Sequence, residues 1–221
     1  MRPSIAVVDY GMGNRRSVQK ALEHVGARSE ITSDHERLNA ADGLVVPGVG
    51  AFPKAMENLH ALELAELIRD RAQNTPILGI CLGMQLLFER SEELGEAHGL
   101  GLIEGEVSWI QSAGLRIPHI GWNEVRFERP SPLTAELPAG GCPFYHVHSL
   151  AARPAHAEDV VGTTEYGERF ATIVQRGSVF GVQFHPEKSS VDGLQMLGSF
   201  VRLCTSRTDQ ANAAAAAATG I

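Results

Sequence analysis

The first 80 residues alternate short apolar runs with helix-length amphipathic stretches, and that rhythm restricts the fold more than any other feature of the chain. Residues 5–9, 27–31, 43–46 and 76–80 read as strands, two of them closed by the turns Gly11-Met12-Gly13-Asn14 and Pro47-Gly48-Val49-Gly50. Between them, residues 17–25 place Val18, Ala21, Leu22 and Val25 at helical spacing before a stop at Gly26. A second stretch carries Leu59, Leu62, Leu67 and Ile68 as one helix. Strands joined through helices run parallel, so the pattern predicts an α/β fold: a mostly parallel central sheet with helices on both faces. Such sheets place ligands beyond the carboxyl ends of their strands.

Beyond Glu89 the rhythm changes. Residues 107–110, 115–117, 124–127, 144–147 and 160–164 are short strand candidates with few helices between them. Residues 170–175 and 179–184 flank Arg176-Gly177-Ser178, a hairpin signal. Residues 191–203 return to a helical pattern. The expectation is one α/β domain over residues 1–204 with an antiparallel elaboration. The Ala-rich tail, residues 205–221, has helix propensity but no apolar stripe, and is expected to fray or remain disordered.

Composition excludes several classes. With 43% apolar and 20% charged residues the chain is ordinary globular protein, and its net charge of -7 argues against a general polyanion binder. Three scattered cysteines, Cys81, Cys142 and Cys204, make no disulfide framework and suit a reducing compartment. The apolar run at residues 5–8 is far short of a signal peptide, and no run approaches a membrane span, so a cytoplasmic location is expected.

One segment carries chemistry. Gly79-Ile80-Cys81-Leu82-Gly83 has the form G-x-C-x-G between a strand and a helix, where flanking glycines permit a tight turn that exposes a nucleophile. A helix starting at Leu82 would aim amide groups at the sulfur and favour the thiolate. Taken alone, the segment suits a small buried cysteine equally well. Gly181-Val182-Gln183-Phe184-His185-Pro186-Glu187 shifts the balance. A histidine at a strand end can take a thiol proton and return it to a leaving group. Glu187, two residues on, can orient the imidazole.

Cys81 in its elbow and His185-Pro186-Glu187 resemble the catalytic triad of the class I, triad-type glutamine amidotransferases. Further motifs in matching order are Asp9-Tyr10-Gly11-Met12-Gly13-Asn14, Val46-Pro47-Gly48-Val49-Gly50-Ala51-Phe52, Pro118-His119-Ile120-Gly121-Trp122-Asn123 and His185-Pro186-Glu187-Lys188-Ser189-Ser190. They resemble the branch of that family whose glutaminase forms a heterodimer with a separate (β/α)₈-barrel cyclase. The resemblance implies that glutamine is hydrolysed to glutamate and ammonia. The cyclase then uses the ammonia to form imidazole glycerol phosphate and an aminoimidazole carboxamide ribonucleotide in histidine biosynthesis. It further implies an oxyanion hole from the Leu82 amide and one amide of Gly48-Val49-Gly50, with the glycine-rich segment as a switch. Gln85 and the Ser149-Leu150 backbone would hold the two ends of L-glutamine. Asn14, Trp122 and Lys188 would lie at or near the cyclase interface.

Other readings fit less well. Gly11-x-Gly13 invites a dinucleotide site, but Arg16 occupies the third glycine position. His146-x-His148 places two imidazoles on one side of a strand, yet no cysteine or acidic cluster completes a site, so neither metal nor cofactor is expected. A glutaminase of anthranilate or aminodeoxychorismate synthase would share the triad but not the Gly11-Met12-Gly13-Asn14 and Gly121-Trp122-Asn123 segments. A catalytically silent scaffold protein has no reason to keep Cys81, His185 and Glu187 together.

Overall fold

A computed structural model describes the backbone of residues 2–218 and the side chains of residues 2–205. Its strands are β1 (Ser4–Val8), β2 (Arg28–Thr32), β3 (Gly43–Val46), β4 (Ile77–Ile80), β5 (Phe88–Ser91), β6 (Ala97–His98) and β7 (Ile103–Trp109). They continue with β8 (His119–Phe127), β9 (Gly141–His148), β10 (Leu150–Pro154), β11 (Val160–Tyr166), β12 (Glu168–Arg176) and β13 (Val179–Val182). The helices are α1 (Arg15–His24), α2 (His35–Ala40), α3 (Phe52–Ala61), α4 (Leu64–Ala72), α5 (Leu82–Gln85) and α6 (Ser190–Ala218). The expectation for the tail falls mainly on residues 206–221, outside the described side chains.

One mixed sheet runs β2-β1-β3-β4-β13-β12-β10-β7-β5-β6, with β11, β8 and β9 branching from β12. Neighbours from β2 through β13 are parallel. The β13–β12, β12–β10 and β10–β7 pairs are antiparallel. The expected parallel core with an antiparallel elaboration is therefore present. Alternate residues of each parallel strand feed the two faces. Ala6, Val8, Leu44, Val46 and Ile77 pack in the same core layer as residues of α2, α3 and α4. Ile5, Val7, Val45, Leu78 and Ile80 pack with residues of α1 and α6.

Two expectations need correction. The single helix over Leu59 to Ile68 is two helices, because Glu63 adopts a left-handed conformation (φ 55°) and leaves Leu62 half-exposed. Residues 115–117 form no strand: Gly114 (φ 89°) and a Leu115 N–H bond to the Ser112 carbonyl make a turn, and Pro118 offers no N–H to a ladder. The hairpin over Arg176-Gly177-Ser178 forms as expected, with Arg176 opposite Val179.

Candidate active site

Strands β4 and β13 end side by side, with Ile80 opposite Val182, and the Cys81 N–H donates to the Val182 carbonyl at 2.8 Å. Beyond that bond the chains diverge, Cys81 into α5 and residues 183–185 onward past the sheet. The strained conformation is carried by Cys81 itself, at φ 55° and ψ -112°. Its flanking glycines serve clearance rather than torsion. A Cβ on Gly79 would come within 2.5 Å of the Gly83 carbonyl oxygen, and one on Gly83 within 1.7 Å of the Val46 oxygen. The elbow is thus a close crossing of β3, β4 and the first turn of α5.

His185 is fixed by backbone and side chain together. Its N–H donates to the Tyr145 carbonyl (2.9 Å) and its carbonyl accepts the Ser189 hydroxyl (2.7 Å). Ser189 Oγ in turn accepts the Tyr145 N–H (3.0 Å), which straps the short 3₁₀ turn Pro186–Lys188 to β9. The imidazole Nδ1 lies 3.0 Å from Glu187 Oε1, with both side chains buried. That leaves Nε2 for the Cys81 thiol. Burial acts to lower the His185 pKa, but hydrogen bonds to Cys81 and Glu187 and their charges prevail and raise it. This polarity suits a thiolate–imidazolium pair.

Cys81 and His185 open onto a cavity of about 300 Å³ whose wall includes Val49, Gly50, Leu82, Gln85, Val147, His148, Ser149, Leu150 and Lys188. Most residues singled out from sequence therefore meet here. Gly48 does not line the cavity but packs behind it, where an added Cβ would meet Leu82 Cβ at 2.7 Å and Tyr10 Oη at 2.8 Å. Gly50, at φ 115°, holds the backbone of the wall in a region closed to most side chains. Tyr10 is buried against this segment and donates its hydroxyl to the Pro47 carbonyl. Its pKa is pushed up by burial and then by the charge of Cys81.

Gln85 points its amide at the Leu150 carbonyl (3.4 Å) and at Gln183 Oε1 (3.1 Å), and Gln183 Nε2 lies 3.8 Å from Cys81 Sγ. The Ser149 carbonyl is occupied by the Ile110 N–H. Gln183 and Ser189 escaped the sequence reading. The one signal was a glutamine inside the otherwise apolar run of β13 and its extension, at a position fully buried in the fold. Asn14 sits at the start of α1 without a side-chain cap, and Trp122, 54% exposed, stands edge-on to Tyr145 with ring centres 6.2 Å apart. Lys188 is exposed at the cavity.

The fold and this thiol–imidazole–carboxylate arrangement define a class of protein. Residues 6–203 match the model of the class-I glutamine amidotransferases, and the chain belongs to that family. Among its relatives it is 54% identical over 204 residues to imidazole glycerol phosphate synthase subunit HisH of Moorella thermoacetica, covering 92% of this chain and 96% of the relative. It is 46% identical over 211 residues to the protein of the same name in Geobacillus kaustophilus, covering 92% and 98%. Two solved structures share the fold at low identity. One, described as a glutamine amidotransferase, superposes with a TM-score of 0.71 at 21% identity, covering 90% of this chain and 98% of that one. PurLQS of Thermotoga maritima gives 0.74 at 23%, covering 92% and 99%. No helix among the described residues is long and apolar enough to cross a membrane.

Proposed function

We propose that this chain is the glutaminase subunit of an imidazole glycerol phosphate synthase, acting in the cytoplasm as a heterodimer with a cyclase subunit. The observation that carries the reading is the Cys81 elbow facing a His185 oriented by Glu187 at a cavity of about 300 Å³. It is joined to 54% identity with a HisH subunit over nearly the whole chain.

Cys81 Sγ gives its proton to His185 Nε2 and attacks the side-chain amide carbon of L-glutamine. The Leu82 N–H and an amide of the Val49-Gly50 segment receive the developing oxyanion. His185 protonates the departing nitrogen, ammonia leaves, and a γ-glutamyl thioester remains on Cys81. Water, deprotonated by His185, cleaves that ester to glutamate. Gln85 and the backbone around Ser149 and Leu150 hold the amino-acid end of the substrate. The cyclase docks where Asn14, Trp122 and Lys188 are presented and consumes the ammonia. The exposed indole of Trp122 favours this face, because large exposed aromatics recur at interfaces.

Reconstitution with a purified cyclase and its ribonucleotide substrate tests the reading. Cys81→Ala should reduce glutamine-dependent synthesis to background while supplied ammonia still supports it. Loss of both activities, or synthesis only with a chorismate-processing partner, would refute the assignment.

A further inference from the structure

The family's chemistry accounts for Cys81, His185 and Glu187, but not for three further histidines buried beside them. His119, His146 and His148 have ring nitrogens within 4.8 Å of one another. Strands β8 and β9 create the group: His119 stands opposite His148, and Gly121 opposite His146. Three converging imidazoles invite a metal, but the hydrogen bonds around two of them say otherwise. The Asn123 amide is oriented by two backbone groups, its Oδ1 accepting the Glu124 N–H (2.8 Å) and its Nδ2 donating to the Glu165 carbonyl (3.0 Å). Its second N–H faces His119 Nε2 at 3.2 Å, so that nitrogen is an acceptor and the proton sits on Nδ1. His148 Nδ1 faces the Leu150 carbonyl at 2.8 Å, so it too carries the proton and leaves Nε2 bare. His119 Nδ1–H then donates to His148 Nε2 at 3.1 Å. A metal at the centre would have to move the His119 proton onto Nε2, against the anchored Asn123 amide.

We infer that His119 and His148 are positioning residues for glutamine. A directional line of hydrogen bonds from Asn123 through both rings to the Leu150 carbonyl fixes the cavity wall at residues 147–150. The line ends at the junction of two strands. Strand β9 stops at His148 and β10 starts at Leu150, and at this break the His148 ring bonds the carbonyl two residues ahead. The same carbonyl accepts the Gln85 amide, whose network runs through Gln183 to Cys81 Sγ. The nearby Val147 carbonyl lies 3.8 Å from that sulfur. Wall and nucleophile therefore share one register. Burial keeps both rings neutral, with the His119 pKa lowered to about 4 and that of His148 to about 3, so the donors and acceptors hold across the neutral range. His146 stands outside the line: among the described residues its Nδ1 reaches only the already occupied His148 Nε2, at 3.3 Å, and its Nε2 has no partner.

This inference rests on the glutaminase reading, and its test separates the two. In the full chain assembled with the cyclase, His119→Phe should raise KM for glutamine about tenfold, as loss of a positioning hydrogen bond does, with kcat within about twofold. His119→Asn, which restores a donor at the Nδ1 position, should recover most of that loss. His146→Phe should leave KM unchanged. Nitrogen-15 NMR of the unmodified protein should place the proton on Nδ1 of both His119 and His148. The inference is overturned by an Nε2–H signal on either ring, by no change of KM in His119→Phe, or by an Asn variant no better than Phe. Absence of glutaminase activity in the unmodified complex would instead sink the reading beneath it, while the NMR result would still decide the proton positions.

Discussion

Two buried clusters, one around His185 and one of three histidines, lean on strand β9 and are tuned in opposite directions. His185 is buried but faces a thiol and a carboxylate, and its pKa rises to about 10. His119, His146 and His148 are equally buried but face one another, a backbone carbonyl and an amide, and their pKa values fall. Desolvation lowers a histidine in both places. What differs is whether an anionic partner is present to reverse it. The two settings also reinforce each other, because charge on His185 further disfavours charge on His146 and His148. One cluster favours the charged imidazole, which the proposed mechanism needs, and the other keeps its rings neutral.

The largest effect should come from removing the carboxylate. Glu187→Gln keeps a group beside His185 Nδ1 but deletes the charge that favours the imidazolium. Glutaminase kcat in the complex should fall by about 10²–10⁴, the range typical of losing a general acid–base function. Ammonia-dependent synthesis should not change. A variant with near-normal kcat would show that Cys81 alone sustains the charge on His185, and the contrast between the clusters would fail at its carboxylate end.

The first cluster was legible in the sequence because its parts are local. A glycine-flanked cysteine between an apolar run and a helix, and a histidine two residues before a glutamate, can be recognised without knowing what lies opposite. Even there, the role of the glycines was only half visible. The positive φ belongs to Cys81, and Gly79 and Gly83 are required by backbone passing within 2.5 Å and 1.7 Å of where their Cβ atoms would be. The second cluster was not legible. His146-x-His148 marked two rings on one face, but the third arrives from β8 through a cross-strand register that a single sequence does not specify. Gln183 and Ser189 were missed for the same reason, since their partners lie across the fold. The break of one apolar stretch at Glu63 rested on a backbone torsion that side-chain periodicity does not report.

The next effect is on stability, with opposite signs for the two clusters. An unfolded histidine takes up a proton near pH 6.5, whereas folded His148 stays neutral down to about 3. Between these values the unfolded chain binds more protons. The stabilisation from neutral His148 is therefore complete above pH 6.5 and is lost as the pH falls, by about 2 kcal/mol at pH 5 from this residue alone. His185 behaves inversely: its contribution is complete below pH 6.5 and is lost as the pH rises through about 10. Denaturant unfolding across pH 5 to 10 should give a maximum near neutrality. In Glu187→Gln the alkaline loss should shrink while the acid loss persists. If the acid loss vanished along with the alkaline one, the low pKa of His148 would depend on the Glu187 side of the site rather than on its own burial.

The smallest effect isolates the member of the second cluster that has no hydrogen-bonding work to do. His146 is fully buried, its Nε2 lacks a partner among the described residues, and its Nδ1 competes with His119 for one lone pair of His148. Its ring is nevertheless packed, stacked on His119 at 4.8 Å and edge-on to Phe184 at 5.6 Å. Phenylalanine keeps an aromatic ring of similar shape in that stack and removes two polar nitrogens, one of them orphaned. Leaving a buried polar group unsatisfied costs about 1–3 kcal/mol, so His146→Phe should stabilise the protein at pH 7 by about 1 kcal/mol once the slightly larger ring is accommodated. It should also flatten the acid limb, because one fewer buried histidine must be kept neutral. Destabilisation at neutral pH with an unchanged acid limb would mean that His146 has a hydrogen-bonding role after all, and that the neutral cluster is a three-ring unit rather than a two-ring line with a packed neighbour.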